Sequence, residues 1–108
     1  MTAKLLQPLA TYFTATNAHD IAAMSAAFSE DATVHDESRV HSGLTEIRTW
    51  MEETIEKYDY AVAPLESSRT GTKTIVIVSL CGTFPGSPIT LRYQFILKGQ
   101  KIAQLEIG

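Results

Sequence analysis

Apolar positions change period partway along the chain, from the three-and-four spacing of helices to the alternation of strands. Leu9, Tyr12, Phe13 and Thr16 line one face of a first helix, and Pro8 suits its first turn. Asn17-Ala18-His19-Asp20 interrupts that helix, with Asp20 placed to cap a second short one carrying Ile21, Met24 and Phe28. Ala32-Thr33-Val34-His35-Asp36 then alternates as a short strand, and a polar loop is expected up to Gly43. Thr45 is the expected cap of a third helix, in which Ile47, Trp50, Met51, Thr54, Ile55 and Tyr58 form a stripe toward a core.

From there the pattern is that of strands at 60–68, 73–83, 89–97 and 101–107, separated by the turn signals Thr70-Gly71, Pro85-Gly86 and Gly99. Pro64 lacks a backbone donor, which marks the first of these strands as an edge or a bulged strand. Ile75, Val76, Ile77 and Val78 put bulk on both faces, so their strand is expected to be covered on each side, on the second face by another copy of the chain. Three helices in the N-terminal half, packed on one face of a curved, mainly antiparallel sheet, define an α+β fold.

A length of 108 residues fits one domain, 1–108, and an apolar fraction of 44% supplies a real core. The net charge of −3, with no basic run, argues against a nucleic-acid partner. The longest apolar stretch, Ile75 to Cys81, is too short to span a membrane, and Met1 to Pro8 lacks the pattern of a secretory signal. The expected location is therefore the cytoplasm. Cys81 is the single cysteine, which forbids an internal disulfide, and its apolar strand predicts a buried, unreactive thiol.

If Val34 points into the core, so does Asp36, and His35 points the other way. A carboxyl at the rim of an apolar pocket has its charged form disfavoured, which makes it a better base near neutrality. Tyr12 lies on the apolar stripe of its helix, and Tyr93 shares a strand face with Leu91, Phe95 and Leu97, so both phenols should point inward. Trp50, Met51, Phe95 and Phe28 are the candidate walls of a pocket, shaping it without doing chemistry. Glu106 falls on a strand whose two faces are equally apolar, and its direction stays open. His35, Asp36 and His41 lack the spacing of a helical two-histidine metal site, so no metal is expected, and His19 is expected to be solvated in its turn. Phosphate-binding glycine loops, nucleophile elbows and Cys-His pairs of recognisable spacing are missing from the sequence, so no cofactor is expected.

Tyr12, the turn Asn17 to Asp20, the run Phe28-Ser29-Glu30-Asp31-Ala32-Thr33-Val34-His35-Asp36, and Gly43 before the third helix occur in an order that resembles the nuclear-transport-factor-two-like superfamily. Within it the chain is most similar to the ketosteroid isomerases and the SnoaL-like polyketide cyclases. The resemblance implies a cone, a sheet wrapped around helices with a pocket at one end. It also implies Tyr12 as an oxyanion-stabilising tyrosine and Asp36 as the proton-transferring aspartate. The isomerases' second oxyanion donor is a protonated aspartic acid, and Tyr93 stands at or beside its place. Three functions are open: a cofactor-independent isomerase or cyclase moving a proton next to the carbonyl of a mostly apolar substrate, a noncatalytic binder of hydrophobic ligands, or a dimeric protein-interaction module of the same fold.

Overall fold

The computed structural model describes residues 5–108, in the order α1 (Gln7–Asn17), α2 (Ile21–Ala26), β1 (Phe28–Asp36), β2 (Arg39–Ser42), α3 (Gly43–Tyr58), β3 (Ala61–Thr70), β4 (Lys73–Cys81), β5 (Ile89–Lys98) and β6 (Lys101–Ile107). The strands form one open six-stranded sheet in the order β2-β1-β6-β5-β4-β3. Every neighbouring pair is antiparallel except β1 with β6. The helices pack on one face of it, α3 chiefly against β1 and α1 against β3. Among the described residues no helix is long and apolar enough to cross a membrane.

The hairpin β1–β2 corrects the polar loop expected up to Gly43, since Arg39–Ser42 form a second strand. Its two-residue turn, Glu37-Ser38, has φ of 53° and 62°. Two positive φ values in sequence make the tight turn whose twist matches a hairpin, usually built from Asn-Gly. Phe28 opens β1 and is not part of α2. Asp20 does cap α2, accepting from the Ala23 N–H at 3.1 Å. Thr45 does not cap α3: Ser42 precedes the helix, and its N–H donates to Glu46 Oε1 at 2.9 Å. Pro64 lies on an edge strand, with a register shift between Pro64 and Glu66.

The inner face of the sheet carries the core. Val76 and Val78 of β4, Tyr93 and Phe95 of β5, and Leu105 of β6 are buried against Leu9, Phe13, Ile47 and Met51 of the helices. Ile75 and Ile77 point to the outer face and are half-buried. Cys81 ends β4 on that outer face opposite Ala61, where small neighbours leave it exposed, so the expectation of a buried thiol fails.

The turn between α1 and α2 fastens the sheet to the helices. Asn17 donates from Nδ2 to the Val62 carbonyl at 2.9 Å and accepts from the Val62 N–H at 2.7 Å, standing in for the strand that edge strand β3 lacks. His19 is exposed, as expected, and its Nε2 donates to the Tyr60 carbonyl at 3.0 Å. Asn17→Ala leaves both Val62 groups unpaired, at a cost of about 1–3 kcal/mol each. A lower urea midpoint with an unchanged slope is the expected result.

Candidate functional site

Asp36 closes β1 just before the turn, and the pairs Val34↔Leu105 and His35↔Glu106 bring it level with Ile107 of β6, the partner of Tyr93. Asp36, Ile107 and Tyr93 thus form one row across the inner face, although Asp36 and Tyr93 are far apart in sequence. The parity expected for Asp36 holds, with Val34 fully buried two residues before it. Trp50 Nε1, from the inward stripe of α3, donates to Asp36 Oδ2 at 3.0 Å. Burial raises the Asp36 carboxyl above its ordinary range; the Trp50 bond pulls it down and the neighbouring Glu37 pushes it up.

A raised native pKa has a stability signature. The folded state holds an extra proton between the unfolded carboxylate value, about 3.9, and the raised native value, so stability is lost as pH climbs through that window. Asp36→Asn keeps an acceptor for Trp50 and carries no charge. It should unfold at higher denaturant than wild type at pH 7, and the difference should shrink as pH falls toward the unfolded value.

The row opens onto a cavity of about 360 Å³. Leu80, Phe84, Ile89, Leu91 and Ile107 make its walls apolar; Asp36, Tyr60 and Tyr93 supply polar groups. Burial holds the Tyr93 phenol well above its usual range, with the charges of Tyr60 and Asp36 adding to the effect, and burial likewise raises Tyr60. Both therefore remain protonated donors. At the rim, Tyr58 donates to Glu37 Oε2 at 3.1 Å and meets Phe84 edge-on with ring centroids 5.7 Å apart. Gly82 lets this rim close: a Cβ there would lie 2.5 Å from the Tyr58 carbonyl oxygen and 2.9 Å from the Phe84 ring.

Of the residues singled out in the sequence, Asp36, Tyr93 and Trp50 line this cavity. Trp50 does more than shape it, since it holds the carboxyl. Tyr12 is not at the wall. Its ring is buried in edge contacts with Phe13, Phe28 and Phe95, and burial, then Tyr60 and Tyr93, push its phenol well above the usual range. Met51, Phe95 and Phe28 also lie in the core and are not at the cavity lining. Glu106 points to the outer face and accepts from Gln94 Nε2 at 3.1 Å. Tyr60, Glu37, Phe84 and Leu80 were not anticipated; strand parity with Val62 could have found Tyr60. Among the described residues no group of three or more His, Cys, Asp or Glu is placed to hold a metal ion.

Three helices on one face of a mostly antiparallel sheet, with a half-buried carboxyl at an apolar cavity, fit the nuclear-transport-factor-two-like and ketosteroid isomerase-like class of folds. The chain belongs to the SnoaL-like domain family, whose model matches residues 9–103. A candidate polyketide cyclase from Sinorhizobium meliloti is 39% identical, with 96% of this chain and 95% of that one covered and a TM-score of 0.93. A Catenulispora acidiphila protein with a ketosteroid isomerase-like fold, in complex with trimethylamine, is 16% identical over 97% of this chain and 86% of that one, with a TM-score of 0.84. SalBIII, an epoxide hydrolase/cyclase-like enzyme of pyran ring formation in the polyether salinomycin, is 22% identical over 94% and 86%, with a TM-score of 0.82. No curated protein matches the chain.

Proposed function

We propose that this protein is a cofactor-independent isomerase or cyclase that moves a proton next to the carbonyl of a small, mostly apolar substrate. The observation that carries this reading is the carboxyl of Asp36, raised by burial and held by Trp50 at the edge of an apolar cavity that two phenols also line. Asp36 takes a proton from the carbon beside the carbonyl, and Tyr93, assisted by Tyr60, donates to the oxygen on which negative charge develops. Tyr12 sits behind these donors and supports them indirectly. The likeness to a candidate polyketide cyclase over nearly the whole chain supports the same class of chemistry. At about 360 Å³ the cavity lies near the small end of ligand sites, roughly 300–1,000 Å³, which favours a compound of one or two fused rings.

The test is deuterium uptake from heavy water at C1 of 2-tetralone, a bicyclic ketone with an activated C–H, followed by proton NMR. Enzyme-dependent uptake above the buffer rate is expected. Saturable binding of the ketone with no uptake would replace the enzyme by a noncatalytic binder.

A homodimer is part of the proposal. Ile75, Ile77 and Ile96 sit half-buried on the outer face, where the helices of one chain do not reach. Sedimentation at tens of micromolar, roughly where weak dimers populate, should give twice the chain mass; a monomer there would reject it.

A further inference from the structure

Asp36 faces two cavities. Besides the apolar one, called the front cavity, it lines a second of about 180 Å³, the rear cavity, and Glu37, Trp50 and Thr54 are shared between the two. The rear cavity is polar because of two periodicities. On the hairpin, the pairs Asp36↔Arg39 and Val34↔His41 put Arg39 and His41 on the same inner face as Asp36. On α3, Trp50, Glu53, Thr54 and Lys57 recur at one-turn spacing and close the other side.

Exchange at a ketone needs a path from Asp36 to water that a ligand in the front cavity does not block. While an apolar ligand fills that cavity, a proton held by Asp36 either returns to the ligand or reaches water by a route that the ligand leaves open. We propose that the rear cavity is the port through which Asp36 exchanges its proton with solvent, and that His41 is the relay residue in it. The proposal rests on the reading of Asp36 as the base.

His41 is half-buried, its ring tilted 34° against that of Trp50 with centroids 6.0 Å apart. Asp36 and His41 are diagonal neighbours across the hairpin, a relation that sets side chains about 7–8 Å apart at their bases, within reach through one water. The cavity has room for several waters at about 30 Å³ each. A positive charge on His41 favours the ionised form of Asp36, and Glu37 opposes it. Arg39, Glu53 and Lys57 ring the outer part of the port, while Tyr60 and Tyr93 face the carboxyl from the front. An imidazole is the side chain suited to passing protons near neutrality. In one cycle the ketone C–H bond breaks and its proton forms the O–H of neutral Asp36. That proton passes through water to neutral His41, the imidazolium releases it to bulk water, and a deuteron returns along the same path to the enolate carbon.

The experiment uses protein labelled with ¹³C at the aspartate carboxyls, saturated with 2-naphthol, the aromatic analogue of the tetralone enol. With the port open, the Asp36 signal stays a single averaged line through its titration. His41→Asn should broaden that line, shift the midpoint upward and slow tetralone exchange at least about tenfold, with added imidazole restoring the rate in His41→Ala. Splitting of the wild-type line into two once 2-naphthol is bound would overturn the port, as would unchanged lines and rates in both His41 variants. Wild-type protein that leaves 2-tetralone unexchanged removes the base reading instead, and the midpoint and line width of Asp36 in wild type and His41→Asn still decide the port.

Discussion

Asp36→Asn should lower the rate of deuterium uptake by 2-tetralone by about 10²–10⁴-fold, the usual contribution of a positioned base, with no loss of ketone affinity. The substitution keeps the shape of the side chain and an acceptor for Trp50 Nε1, which lies 3.0 Å from Oδ2 in the native site, so the cavity wall stays in place. What disappears is basicity alone. A drop in binding that matches the drop in rate would mean that Asp36 shapes the pocket and does no chemistry. Unchanged uptake would move the base elsewhere, with Glu37, the other carboxylate on the cavity, next in line.

Tyr93→Phe should slow the same exchange by about 10²–10³-fold, the cost of losing one preorganised donor to an oxyanion. It should also weaken 2-naphthol binding, because that phenol places its oxygen where the enolate oxygen would sit. Removing the hydroxyl leaves the ring packed against Phe13 and Phe95, with centroids 5.7 and 6.0 Å away, so the fold should be undisturbed. Tyr12→Phe is the matched control. Its ring is equally buried but not at the cavity wall, so its effect should be several times smaller than that of Tyr93→Phe. The reverse order would return the direct role to Tyr12, as the family resemblance implies.

Much of this arrangement was legible because periodicity decides which way a side chain faces. Val34 and Asp36 share parity, as do Leu91, Tyr93 and Phe95, and the α3 stripe turns Trp50 inward. Height along that inner face leaves no such trace. Phe95 and Tyr93 point the same way from β5, yet only Tyr93 reaches the cavity, because which positions along a strand the core covers depends on elements far away in the sequence. β2 was hidden for a different reason. Arg39, Val40, His41 and Ser42 are polar or exposed on an edge, Val40 being 55% accessible, and Glu37-Ser38 lacks the glycine or asparagine that usually announces a tight hairpin. Tyr60 stands just before β3, after the left-handed Asp59 that ends α3, and only its parity with Val62 two residues on betrays its inward direction.

The parallel pairing of β1 with β6 bears on how the candidate site is assembled. β6 lies between β1 and β5, so the carboxyl of Asp36 and the phenol of Tyr93 are joined only through a strand at the far end of the sequence. Until that strand inserts, a nascent or partly folded chain holds the proposed base on one fragment of sheet and the proposed oxyanion donor on another. Contacts of such long range come late and slowly, since the intervening chain must be closed before they repay its lost freedom. The proposed exchange activity should therefore appear together with the last cooperative step of folding, and no stable intermediate lacking β6 should show any of it.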